Sequence, residues 1–170
     1  MDLNTTLETN RLLIRSYKRD DKDFCLSLWC DAQNGKYMSD PLLENADEKY
    51  LSYFDDMENE PDGYYLIVES KDTRQRVGTC CIFPEGDNVD IGYCISKDLW
   101  RQGLGSEIIE ALITFAKRQG GHSMSAEVAD DNAASVGLLR KFGFVEDKKT
   151  RYKKWGEETY FDAHVLKLRF

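Results

Sequence analysis

The run WRQGLGSE, residues 100 to 107, opens the most regular amphipathic stretch of this 170-residue chain. Leu104, Ile108, Ile109, Leu112, Phe115 and Ala116 recur at helical spacing, which predicts a helix over 103–118 with one buried stripe. Gly120 and Gly121 stop it. At its start, Gly103 and Gly105 leave backbone N–H groups uncovered by any Cβ. The first turn of a helix carries unpaired N–H donors and the positive end of the helix dipole. Together these features make a cradle for a phosphate or pyrophosphate.

The rest of the chain must build a frame around that cradle. A strand is predicted over 10–17, with Leu12 and Ile14 on one face, then a helix over 20–33. Pro41 interrupts, and a second helix over 46–58 carries Tyr50, Leu51 and Phe54. Strands follow at 63–69, 76–83 and 88–95, separated by the turns KDTR (71–74) and GDN (86–88). After the main helix come a strand at 123–129, a helix at 132–142 and two closing strands, the last at 159–169. The step from 88–95 through the helix to 123–129 is a βαβ unit, so those two strands should be parallel neighbours. The earlier strands read as hairpins. The expectation is an α/β (α+β) fold: a mixed, mostly antiparallel sheet of about seven strands with helices on both faces. No linker, repeat or low-complexity run divides residues 1–170, so one domain is expected.

Two common phosphate cradles do not fit. A P-loop needs GxxxxGK followed by Ser or Thr, which is missing. A dinucleotide fingerprint needs a third glycine where Ile108 stands. The third option is the acyl-CoA cradle of the GNAT N-acetyltransferases, Arg/Gln-x-x-Gly-x-Gly/Ala. Gly103, Leu104 and Gly105 fill its last three positions, and Trp100 stands where Arg or Gln is usual. The longer run DIGYCISKDLWRQGLGSE, residues 90–107, resembles the GNAT branch of ribosomal-protein N-terminal acetyltransferases (RimJ/RimL-like), which often carries Trp-Gly-Lys-Gly there. LETNRLLIRSYKRDDKDF (7–24) looks like the family's first strand and first helix. AEVADDNAASVGLLRKFGF (126–144) looks like its fifth strand, the Asn-x-x-Ser helix start and the closing Gly-Phe.

The resemblance implies the GNAT fold, whose fourth and fifth strands splay so that the pantetheine arm slides between them. It also implies direct transfer of an acetyl group from acetyl-CoA to a primary amine. Neither His122 nor His164 lies in a ligand-like cluster, so no metal is expected. Residues 101–106 would hold the pyrophosphate: Arg101, Gln102, Gly103, Leu104, Gly105 and Ser106. A backbone N–H late in the strand, at Cys94 or Ile95, would meet the thioester oxygen. Asn132 would contact pantetheine, and Lys141 meets the adenosine phosphate or merely decorates its helix. The amine must be neutral to attack, so a base should take its proton. Glu127 holds a position that is a glutamate base in some members; the alternative is an outward-facing strand glutamate. Some relatives protonate the departing thiolate with a tyrosine seven residues after the Asn, but here that position is Leu139. Ser135 is the substitute, or else only a first-turn residue behind a cap at Asp131 or Asn132. Cys94 reads as packing before it reads as an acyl-carrying thiol.

Composition narrows the partners. The net charge of -8 argues against a general nucleic-acid binder. No apolar run approaches the roughly 20 residues of a membrane span. Five cysteines without a CxxC pair point to reduced thiols in a cytoplasm. Residues 44–62 hold eight acids and one base, whereas 140–154 hold seven bases and two acids. Such a split suits a cationic acceptor at one end and CoA phosphates at the other, or two solvated faces. The acceptor is either a protein N-terminus or a small cationic amine such as a polyamine or aminoglycoside. The alternative from another class is a GNAT-like module that binds acyl-CoA without turnover. An exposed edge in the C-terminal hairpin suits a homodimer.

Overall fold

The computed structural model describes residues 6–170. Its sheet has eight strands: β1 (Leu7–Glu8), β2 (Leu12–Ser16), β3 (Tyr64–Ser70), β4 (Arg76–Glu85), β5 (Asn88–Ile95), β6 (Ser123–Ala129), β7 (Val145–Lys153) and β8 (Tyr160–Arg169). They lie in the order β1-β2-β3-β4-β5-β6-β8-β7. Every pairing is antiparallel except β5 with β6. The extra strand is β1, two residues long and too short to leave a periodic signal.

Helices α1 (Lys22–Trp29) and α2 (Glu48–Asp56) cover one face, and α3 (Leu104–Arg118) and α4 (Ala133–Lys141) the other. The six stripe residues of α3 are the six it buries, packed on Leu66, Ile82, Ile91 and Met124. Under α1 and α2 lies a separate aromatic core with Tyr17, Trp29, Tyr50 and Phe54. No helix among the described residues is long and apolar enough to cross a membrane.

The first helix ends four residues before the expected Gln33. Asp31 takes over the chain there: its Oδ1 accepts from the N–H groups of Gln33 (3.0 Å) and Asn34 (2.8 Å), and Gly35 N–H returns to Asp31 O at 2.8 Å. Such local side-chain bonds compete with helix continuation. The loop at 30–40 is then pinned at both ends. Asn34 Nδ2 donates to Ile95 O at 2.7 Å, and its Oδ1 accepts from Lys97 N–H at 3.1 Å. The buried Lys154 ammonium donates to Gly35 O (2.9 Å) and Asp40 O (2.8 Å), and Trp155 N–H to Ser39 O (2.7 Å).

Strands β5 and β6 pair over three residues only: Asn88 with Ser123, Val89 with Met124, and Asp90 with Ser125. A buried polar chain marks the end of that pairing. Ser123 Oγ donates to Asn88 Oδ1 (2.8 Å), Asn88 Nδ2 to Ser125 Oγ (2.9 Å), and Ser125 Oγ to Asp90 Oδ1 (2.7 Å). Beyond it the two strands part, as expected for the splayed pair.

Candidate active site

The parting of β5 and β6 opens a cleft of about 1060 Å³. Residues 91–95 line one wall, 126–129 the other, and Gly103 to Ser106 one end. On β5 the alternation of an antiparallel ladder decides which N–H groups face the gap. Ser96 N–H bonds Val77 O at 2.9 Å, so Cys94 turns its N–H to β4 whereas Tyr93 and Ile95 turn theirs to the cleft. Ile95 O, on the same edge, is held by Asn34 Nδ2 and by Trp100 Nε1, each at 2.7 Å. Trp100 thus fixes the strand end instead of presenting a basic side chain.

Helix α3 begins at the cleft with no side-chain hydrogen bond over its N-terminus. Its cap, Gly103, has φ +81°, a left-handed conformation that glycine adopts without strain. A Cβ on Gly105 would sit 2.8 Å from Leu138 Cδ2, so this glycine also lets α4 approach α3. Arg101 is left-handed too, at φ 61°, an uncommon state for a residue with a side chain. The first-turn acid, Glu107, points away from the cleft, held by Thr9 Oγ1 (2.6 Å) and by Arg11. It therefore leaves the positive end of the helix open to an anion.

Of the other expected site residues, Cys94, Ile95, Arg101, Leu104, Glu127, Asn132 and Ser135 line the cleft. Gln102 and Lys141 stand outside its lining; Gln102 Nε2 reaches back to Asp98 O at 3.4 Å. Asn132 caps α4 by accepting from Ser135 N–H at 3.2 Å. Glu127 is the exposed residue of an otherwise buried β6. Tyr152, two strands away on β7, also lines the cleft, and its hydroxyl is raised to about 12 by burial and by the Glu127 charge. Burial likewise pushes the Cys94 thiol to about 12, so it is not a thiolate at neutral pH.

Two groups escaped the sequence reading. The first is a hydroxyl pair: Tyr93 Oη lies 2.7 Å from Ser135 Oγ, joining β5 to α4. Burial raises Tyr93, and the Ser135 bond opposes that rise. The second is Asp40, which lines this cleft and also a neighbouring cavity of about 410 Å³. Its Oδ1 accepts from Tyr50 Oη at 2.7 Å. Burial pushes its carboxyl above the usual range, with the Tyr50 bond and the Lys154 charge opposing. The neighbouring cavity is walled by rings in continuous contact, running from Tyr53 through Trp155, Tyr50, Phe54, Trp29 and Tyr65 to Phe83, at centroid distances of 5.5 to 6.2 Å.

The charge runs are less uniform in space than in sequence. Lys154 is buried, while Arg140 pairs with Glu146 (2.6 Å) and Lys153 with Glu158 (2.6 Å). In the acidic run, Asp47 caps α2, Asp55 pairs with Lys22 (3.5 Å), and Glu60 lines the aromatic cavity.

Comparison with known proteins agrees with this geometry. The acetyltransferase (GNAT) domain family matches residues 11–145. An uncharacterized N-acetyltransferase, YoaA of Bacillus subtilis, is 26% identical over 168 residues, 95% of each chain. An L-methionine sulfoximine/L-methionine sulfone acetyltransferase of Pseudomonas aeruginosa is 49% identical over 76 residues, 42% of this chain and 44% of that one. The crystal structure of spermidine N-acetyltransferase from Vibrio cholerae, in complex with CoA and spermine, aligns with a TM-score of 0.79 at 16% identity, covering 95% of this chain and 96% of that one. With a splayed parallel pair, a glycine cradle at α3 and a family match over most of its length, this chain belongs to the GNAT family of N-acetyltransferases.

Proposed function

We propose that the chain moves an acetyl group from acetyl-CoA to a primary amine in one direct step. The observation that carries this is the cleft between β5 and β6, closed at one end by the uncapped N-terminus of α3. Its residues fit an acyl-CoA. Gly103 leaves room for a pyrophosphate, the N–H groups of 101–105 supply donors while that of Ser106 bonds Gly103 O, and the gap-facing edge of β5 suits pantetheine amides. Ser106 adds a hydroxyl, and Asn132 lies along the same path. Gln102 and Lys141, outside the cleft, suit only the adenosine phosphate end.

In the transfer, the amine nitrogen forms a bond to the thioester carbonyl carbon and the carbon–sulfur bond breaks. The amine gives up a proton and the sulfur gains one. Ile95 N–H is the donor for the carbonyl oxygen, because it faces the gap and the Cys94 N–H does not. Glu127 takes the amine proton, directly or through water. Ser135, in contact with Tyr93, supplies the proton to sulfur. The high thiol of Cys94 supports direct transfer over an acyl-enzyme.

The run at 90–107 and the Trp100 substitution support a RimJ/RimL-like branch. Five free thiols suit a cytoplasmic setting. Strand β7, at the sheet edge, is the surface for a homodimer, although Lys148, Lys149 and Lys153 on it are residues that discourage strand pairing.

Isothermal titration with acetyl-CoA and with CoA tests the reading, comparing wild type with Gly103→Glu. Binding that the substitution abolishes, followed by acetylation in an amine screen, is the expected result. Binding without turnover on any amine would leave a non-catalytic acyl-CoA module, and no binding by wild type would remove the assignment.

A further inference from the structure

The acyl-donor cleft and the aromatic cavity meet along two short segments, Met38–Asp40 of the pinned loop and Gly92–Cys94 of β5. We infer that the aromatic cavity is the acceptor subsite, and that it selects a small primary amine on an apolar or aromatic body, with the ammonium held by Asp40. This rests on the transferase reading of the adjoining cleft.

Position comes first. An acceptor nitrogen must reach the thioester, so its subsite has to open onto the gap-facing edge of β5. The aromatic cavity does so at Tyr93 and Cys94, and Asp40 stands at that junction. Asp40 is held there rather than free to swing. Tyr50 donates to its carboxylate at 2.7 Å, and Lys154 grips its backbone carbonyl at 2.8 Å. A carboxylate has about four lone-pair sites, so one phenol bond leaves acceptor capacity for an ammonium.

The walls then define the body that carries the amine. Phe54 and Tyr50 are 1% and 6% exposed, so the cavity floor is buried and apolar. Ring faces favour apolar groups, and they also attract a cation near them. A volume of about 410 Å³ is on the scale of small-molecule sites, roughly 300–1,000 Å³. Burial holds the Asp40 carboxyl above its usual range, and an arriving ammonium would compensate that cost.

A long polycation fits less well. Of the acids at 44–62, Glu60 alone lines the cavity, and Lys153 stands in the same lining. The acidic run therefore adds a single carboxylate to Asp40 in this lining, too few to match the several charges of a polycation, and Lys153 beside it is paired with Glu158.

Two measurements test the inference on the full chain. First, 2-phenylethylamine is titrated without acetyl-CoA while the fluorescence of Trp29 and Trp155, both in the cavity wall, is followed. Second, kcat and KM are measured with acetyl-CoA for 2-phenylethylamine, hexylamine, spermidine, methionine sulfone and a serine-initiated peptide. The apolar monoamines should shift the fluorescence and give the highest kcat/KM. Asp40→Asn, which keeps an acceptor for Tyr50, should raise their KM about 10- to 100-fold, with acetyl-CoA affinity retained as the sign of a folded protein. Tyr53→Ala, at an exposed position unable to threaten the core, should raise KM about 3- to 10-fold for 2-phenylethylamine. Preference for spermidine, methionine sulfone or the peptide, or an unchanged KM in Asp40→Asn, overturns the inference while the transferase reading stands. Failure to bind acetyl-CoA removes both.

Discussion

The Tyr93 hydroxyl and Ser135 Oγ lie 2.7 Å apart, bridging β5 and α4 at the cleft. The family position for a tyrosine acid on α4 is Leu139, which is fully buried and faces the core. A phenol from the opposite wall therefore reaches the same helix through a serine. Tyr93→Phe and Ser135→Ala should each lower kcat by about 10²-fold, the low end for proton transfer, because a thiolate is already a fair leaving group. The double variant should be little worse than either single one if the two act as a unit. Steady-state kinetics with unchanged acetyl-CoA affinity checks this, and additive losses would separate the two roles.

Glu127→Gln should reduce kcat/KM by about 10²-fold and leave acetyl-CoA affinity alone, since the side chain lies on β6 away from the α3 cradle. Turnover that survives the substitution would transfer the proton-accepting role to Asp40, the other carboxylate in the cleft lining.

Arg101 combines a left-handed backbone with a place at the phosphate end of the cleft. Left-handed geometry costs a residue with a Cβ roughly 1–2 kcal/mol, and glycine's extra freedom in the unfolded chain offsets part of any relief. Arg101→Gly should therefore leave stability unchanged or raise it by up to about 1 kcal/mol. The same change should weaken acetyl-CoA, with a smaller salt dependence of binding. Urea melts and calorimetry at two ionic strengths read the two effects separately.

Asp21 is buried under two guanidinium groups. Arg15 meets it through two nitrogens, at 2.7 and 2.9 Å, and Arg76 Nε lies at 2.7 Å. Burial pushes its carboxyl up, but the hydrogen bonds from Arg15 and the Lys18 N–H, with the charges of Arg15 and Arg76, outweigh it and hold it below the usual range. A depressed carboxyl stabilises the fold above its unfolded pKa, and that stability is lost as pH falls through the folded one. Asp21→Asn should cost about 1–3 kcal/mol near neutral pH by removing the charge-assisted bonds that the buried carboxylate accepts from Arg15 and Arg76; Arg15 keeps its bond to Glu69 at 2.7 Å. The gap to wild type should narrow below the ordinary carboxylate range. Urea melts across acidic pH give the comparison, and a constant gap would contradict it.

What the sequence revealed depended on how local its physical cause was. The α3 stripe was legible because a 3.6-residue period repeats over four turns, and all six of its members are buried. The parallel placement of β5 and β6 followed from chain order alone. Hydrophobic spacing carries helix α1 too far because Asp31 ends it through side-chain bonds to the Gln33 and Asn34 N–H groups that leave that spacing intact. Asp40 carried no signal: its position depends on Lys154 and Trp155, more than a hundred residues away. Tyr93 and Ser135 likewise meet across 42 residues of chain. The basic run read at 140–154 concealed Lys154, whose neighbours bury it.

The three residue pairs between β5 and β6 have a mechanical meaning. They stitch a five-strand half that ends in the β5 edge to a three-strand half that carries Glu127. A pantetheine arm along the open edges would add rungs to an unfinished ladder, so the donor would act as a zipper as well as a reagent. Saturating acetyl-CoA should then slow amide exchange at Tyr93 and Ile95 most, and fix the β5 edge against Glu127 before an amine arrives.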